Sequence, residues 1–139
     1  MSHPTKTETA HGSHLNLADG TGKAGEAAAD YILRQNGYEI VRSNYRVRSG
    51  EIDLIAHHHD QIVFVEVKTR RSRSFGYPEE ALTPTKIRRL KESAQAYLEE
   101  TGAESSDWRI DLLAVEMDST GKVRRFNLVE NAVSEDSFG

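Results

Sequence analysis

The stretch Gly-Glu-Ile-Asp-Leu-Ile-Ala-His-His-His-Asp-Gln-Ile-Val-Phe-Val-Glu-Val-Lys-Thr-Arg, from Gly50 to Arg70, constrains the fold of this chain more than any other. Ile52–Ala56 and Ile62–Val67 are rich in β-branched and apolar residues and flank the polar run His57–Asp60, which predicts two strands joined by a turn. The second run is apolar on both alternating sets of positions, as a strand covered on both faces requires. Charges nevertheless sit inside it. Side chains alternate along a strand, so Glu66, Lys68 and Arg70 share one face, with Glu66 and Lys68 about 6.6 Å apart. Glu51 and Asp53 share a face of the preceding strand, and hairpin pairing brings Asp53 and Glu66 together near its open end.

That meeting is unfavourable unless something offsets it. Two carboxylates roughly 5 Å apart repel by about 3 kcal/mol at an effective dielectric near 20, before desolvation. A hard divalent cation removes the conflict, because Mg2+ takes oxygen ligands from one or two carboxylates, with water and substrate phosphate completing the shell. Lys68 then stands where it can orient a water or stabilise charge on a phosphate. A Glu66–Lys68 ion pair closing the sheet, or charges at a strand end reaching water, would account for the same residues taken alone. The rest of the chain decides between them.

At 139 residues the chain fits one domain with a core of its own. It has no cysteine, which excludes disulfides and thiolate zinc sites. No apolar run reaches membrane length and the N-terminus lacks the layout of a signal peptide, so a cytoplasmic protein without membrane association is expected. The net charge of −4 argues weakly against a polyanionic partner, but its distribution argues the other way. Eight basic residues lie between Lys68 and Lys91 (Lys68, Arg70, Arg71, Arg73, Lys86, Arg88, Arg89 and Lys91) against two acids, Glu79 and Glu80. Such asymmetry suits a surface facing nucleic acid, and equally a solvated helix face.

Before the organising stretch, residues 1–20 are polar and read as a disordered tail whose scattered histidines lack ligand spacing. Ala24 to Asn36 has helical spacing, with Ala24, Ala27, Ala28, Tyr31, Ile32 and Gln35 on one face and Asn36-Gly37 as its cap. Glu26 near its start is explained by the helix dipole, or by a third carboxylate offered to Asp53 and Glu66. Tyr38 to Arg46 is a strand, and Arg42, Arg46 and Arg48 either contact phosphate or keep an edge strand soluble. His57-His58-His59 reads as a polar turn rather than a metal site, since neighbours in an extended chain point in alternate directions.

Beyond it, Ser72 to Leu82 is a loop whose Phe75 and Tyr77 can stack on bases or pack over the sheet. Thr83-Pro84 opens a second helix with Ile87, Leu90, Ala94, Tyr97 and Leu98 inward. Trp108 to Val115 and Val123 to Val129 are strands, and residues 131–139 form a loose acidic tail. The order is helix, three strands, helix, two strands: one α/β sheet with helices packed on it.

Gly25-Glu26, Gly37-Tyr38, Asn44, Gly50-Glu51-Ile52-Asp53-Leu54-Ile55, Phe64 to Arg70, Phe75-Gly76, Lys86 and Asp111 together resemble the YraN family. These small bacterial proteins are regarded as predicted endonucleases, similar to archaeal Holliday-junction resolvases. The resemblance runs from about Gly22 to Val129. It implies a single restriction-endonuclease-like α/β domain over residues 21–130, a central mixed five-stranded sheet flanked by helices. It further implies Mg2+, or Mn2+ in its place, held by Asp53, Glu66, Glu26 and the carbonyl of Val67, with Lys68 as the catalytic lysine. Nucleic acid, DNA in structured or branched form, would lie along Arg46, Arg48, Arg70, Arg71, Arg73, Lys86 and Arg89. Similar junction enzymes work as symmetric pairs, which carries the expectation of a homodimer. Asp111 matches a later strand of the family, with a hydrogen-bonding or a catalytic role equally open.

Overall fold

The computed structural model describes residues 5–9, 21–71 and 82–133. In chain order the elements are β1 (Thr5–Thr9), α1 (Thr21–Gln35), β2 (Glu39–Val47), β3 (Gly50–His58), β4 (Gln61–Arg70), α2 (Pro84–Glu100), β5 (Trp108–Met117) and β6 (Val123–Val129). They build one sheet in the order β1-β6-β5-β4-β3-β2. β4 and β5 run parallel, and every other neighbouring pair is antiparallel. A parallel pair needs a crossover, and the segment containing α2 supplies it. The α/β class, the mixed sheet and the flanking helices expected from the sequence are all present. Among the described residues no helix is long and apolar enough to cross a membrane.

Each face of the sheet has its own core. Ala24, Ala28, Ile32 and Leu33 of α1 pack with Leu54, Val63, Val65, Leu113 and Val115, while Ile87, Leu90, Ala94 and Leu98 of α2 pack with Tyr45, Ile52, Ile55, Phe64 and Ile110. The double coverage explains why β4 is apolar at consecutive positions: Ile62 and Phe64 serve α2, Val63 and Val65 serve α1. α2 starts as its sequence predicts, with Thr83 accepting from the Lys86 N–H at 3.2 Å and proline in the first turn.

The structure corrects four expectations. The first concerns α1, whose buried stripe is rotated by one position: Ala24, Ala28, Ala29, Ile32 and Leu33 face inward, whereas Ala27 is exposed and Tyr31 is 51% exposed. The second concerns residues 1–20, where Thr5–Thr9 is a strand rather than part of a disordered tail, pairing antiparallel with β6. Its three threonines suit extended chain, and the unpaired edge of β6 offers the hydrogen bonds that a lone polar segment lacks. Third, the C-terminal residues 131–133 are not loose, since the Ala132 N–H donates to the Ile110 carbonyl at 2.8 Å and Val133 is buried in the α2 core. Last, β3 continues through His58, so the turn is only His59-Asp60, both at positive φ (51° and 62°), the two-residue geometry that matches strand twist.

A close contact ties α1 to β4. A methyl group at Gly25 would sit 2.0 Å from Thr69 Oγ1 and 3.0 Å from its Cβ. The stiff β-branched threonine has little room to yield. Gly25→Ala is therefore expected to lower stability by about 1–3 kcal/mol and to lift Glu26 away from the sheet, a loss readable as an earlier urea midpoint.

Candidate active site

Strict alternation would put Ile52 and Leu54 on one face, yet Ile52 joins the α2 core and Leu54 the α1 core. The break falls at Asp53. Opposite it in the β2–β3 register is Asn44, in the left-handed region at φ 52°, which asparagine tolerates better than most residues. Pairing between β3 and β4 begins only at Leu54↔Val65, so at Asp53 and Glu66 the two strands have parted. The Asp53 carboxylate fills the gap by accepting the Val67 N–H at 2.8 Å. This splay lets two acidic side chains share a place that a regular ladder would give to apolar residues.

Asp53 and Glu66 line one cavity of about 290 Å³ together with Gly50, Glu51, Thr85, Lys86, Arg89 and Leu90. Glu66 is 4% exposed, and its Oε2 pairs with the Lys86 ammonium. Among the described residues no cation pairs with Asp53. Burial foremost, then repulsion from Glu66, pushes its carboxyl up to about 7, even though the Val67 N–H favours the ionised form. Lys68 follows Glu66 on the same strand face, its ammonium held below the ordinary lysine value by burial and by the nearby Arg70 and Lys86.

The other sequence-predicted residues fall at graded distances from this centre. Glu26 acts on Asp53 through its field, and with the Asn44 amide turned to satisfy both neighbours, Asn44 donates to Glu26 Oε2 at 2.7 Å and Glu51 Oε1 at 3.3 Å. Asn44 thus links the α1 carboxylate to the pocket rim. Among the described residues no three His, Cys, Asp or Glu side chains form a ready metal-holding group. Arg46 is exposed and pairs with Glu51 at 3.4 Å, while Arg48, Arg70, Arg71 and Arg89 are exposed. Arg42 pairs with Glu100 at 3.4 Å and covers the Tyr45 ring. Arg73, Phe75 and Tyr77 lie outside the described residues.

The sequence did not reveal a second buried polar cluster, centred on β5. Asp111, 0% exposed, takes a two-pronged bond from Arg109 (2.9 and 3.1 Å), the Tyr38 hydroxyl at 2.6 Å and the Asn131 N–H at 2.8 Å. Arg109 also donates to Gln61 at 2.6 Å and lies 2.6 Å from Nδ1 of His58, whose ring stacks on Tyr38. His58 is therefore a buried partner of arginine rather than a turn residue, and burial together with Arg109 holds its pKa down. Asp111 is a buried hydrogen-bonding centre with four bonds to its oxygens. The one sequence signal was a lone acid inside an apolar strand.

Fold and site define a class: an α/β domain with two acids at the splayed ends of neighbouring strands and lysines beside them. The model of the uncharacterised protein family UPF0102 matches residues 25–115, and the chain belongs to that family, the YraN group whose motifs its sequence resembles. A UPF0102 protein of Caldicellulosiruptor saccharolyticus is 45% identical over 111 residues, covering 80% of this chain and 94% of the relative. One from Symbiobacterium thermophilum is 49% identical over 111 residues, 80% and 93% of the two chains. A solved structure described as Pyrococcus furiosus SfsA in complex with Ca2+ aligns over 81% of this chain and 66% of that one. Its identity is 16% and its TM-score 0.40, too distant to bear on function.

Proposed function

We propose that the protein is a divalent-metal-dependent endonuclease that hydrolyses phosphodiester bonds, with structured or branched DNA met in repair or recombination as its substrate. The observation that supports this most is the shared cavity of Asp53 and Glu66 at the parting of β3 and β4, with Lys86 and Arg89 on its wall. The two carboxylates on the cavity wall, Asp53 and Glu66, are of the oxygen-donor kind that Mg2+ or Mn2+ takes, with space for water and phosphate; the Val67 carbonyl and Glu26 are added to them only by the family resemblance. When bound, the cation supplies Lewis acidity toward a phosphodiester and a water molecule. The chain does the remaining work. The Val67 N–H holds the Asp53 carboxylate in one orientation. Lys68, its ammonium weakened, holds a water or offsets charge on the phosphate. Arg46, Arg48, Arg70, Arg71, Arg73 and Arg89 grip phosphates without reading bases, so binding falls steeply with salt. A homodimer, carried over from similar junction enzymes, would present two such sites to one branched substrate.

The test is cleavage of labelled four-way junction, flapped and plain duplex DNA in Mg2+ or Mn2+. Asp53→Asn and Lys68→Ala are each expected to lose about 100-fold or more in rate while still binding the junction. Equal rates in all three proteins would remove the mechanism. A second reading, a nucleic-acid-binding module without turnover, is favoured by the ion pair that already engages Glu66. It predicts salt-dependent junction binding and no cleavage in any metal.

A further inference from the structure

We propose that Lys86 is the resident counter-ion of Glu66, that a divalent cation enters the pocket by displacing it, and that the freed ammonium then meets substrate phosphate. The proposal rests on the cation-site reading above and concerns how that site is filled. A carboxylate whose side chain is 5% exposed is strongly disfavoured without an opposite charge beside it, and the Lys86 ammonium provides that charge at Oε2. A cation held by Glu66 needs the same carboxylate, and two positive charges there repel.

The two partners differ in freedom. The Lys86 side chain is 44% exposed, so its head can withdraw into water while Glu66 stays where the strand puts it. Its backbone cannot move with it. Lys86 sits in the capped first turn of α2, which opens on Pro84, its N–H donating to Thr83 Oγ1 at 3.2 Å. A fixed stem with a movable head leaves the ammonium at the cavity wall after exchange, one helical turn from Arg89, which lines the same cavity. Both cations are then available to an entering phosphate.

Mn2+ titration by calorimetry tests the exchange in the wild type, Lys86→Met, Arg89→Met and the Glu66→Gln/Lys86→Met double variant. Lys86→Met is expected to bind Mn2+ about tenfold more tightly, and Arg89→Met to change by about twofold or less, because only Lys86 occupies the oxygen being contested. The double variant should lose the gain. A second measurement follows anisotropy of a labelled phosphorothioate four-way junction with EDTA or Mn2+. Mn2+ should strengthen binding about tenfold more in the wild type than in Lys86→Met. Lys86→Gln should repeat the Lys86→Met results, and thermal melting confirms that each variant is folded. Unchanged or weaker Mn2+ binding by Lys86→Met, equal gains in Lys86→Met and Arg89→Met, or equal Mn2+ effects on junction binding would overturn the exchange. If wild type, Lys86→Met and Arg89→Met all fail to bind Mn2+, the cation-site reading fails and the exchange with it.

Discussion

Replacing Arg109 with alanine is expected to remove about 3–5 kcal/mol of stability, a large share of what a domain of this size has. The guanidinium is 7% exposed and Asp111 0%, so truncation leaves the carboxylate buried with the Tyr38 hydroxyl and the Asn131 N–H as its remaining donors. It also leaves the Gln61 side chain and His58 Nδ1 without the contacts that orient them. The midpoint in a thermal melt should fall by roughly 10–20 °C. The double change Arg109→Met/Asp111→Leu should recover only part of the loss, because it removes the uncompensated charge but leaves the Tyr38 hydroxyl and the Asn131 N–H without their acceptor. A fall below about 1 kcal/mol in Arg109→Ala would mean that water already serves the cluster.

Asp53→Asn should do the opposite, raising stability at neutral and alkaline pH while costing the proposed nuclease about 100-fold or more in rate. The Asp53 carboxyl is pushed from 3.8 up to about 7 by burial and by Glu66. Between those values the native protein holds a proton that the unfolded chain has released, so wild-type stability falls as pH rises from about 4 to about 7 and levels off above. Asparagine keeps an oxygen for the Val67 N–H and has no charge to bury. In metal-free buffer its advantage should therefore be near zero at pH 4 and about 2–4 kcal/mol at pH 8. Urea midpoints across that range measure it, and parallel pH profiles for the two proteins would count against the buried acid pair. If the proposed cation site holds, a divalent cation should erase the advantage, because it would bind the Asp53 carboxylate and stabilise the wild type more than the variant.

Much of this was legible in the chain because it followed from periodicity. The β3–β4 hairpin, the double coverage of β4, and Thr83-Pro84 at the start of α2 depend on neighbours a few residues away. The meeting of Asp53 with Glu66 followed from alternation and antiparallel pairing. The break that makes it possible did not, because it depends on Asn44 lying opposite in a third strand. The Arg109–Asp111 cluster was hidden for the same reason. Tyr38 is 73 residues from Asp111, and His58 and Gln61 come alongside only through the β3–β4 pairing His58↔Gln61 together with the parallel register of β5 on β4. His58 is not distinguishable in a run of three histidines that is equally polar throughout, whereas the left-handed pair His59-Asp60 alone makes the turn. β1 is not legible in the sequence because a strand of threonine, lysine and glutamate has no apolar periodicity.

The most direct measurement is the anomalous difference density of a crystal soaked in Mn2+ at pH 8. A peak between the Asp53 and Glu66 carboxylates, with the Lys86 ammonium moved off Glu66, is what the account predicts. No peak there, with Lys86 still on Glu66 at saturating Mn2+, would contradict it.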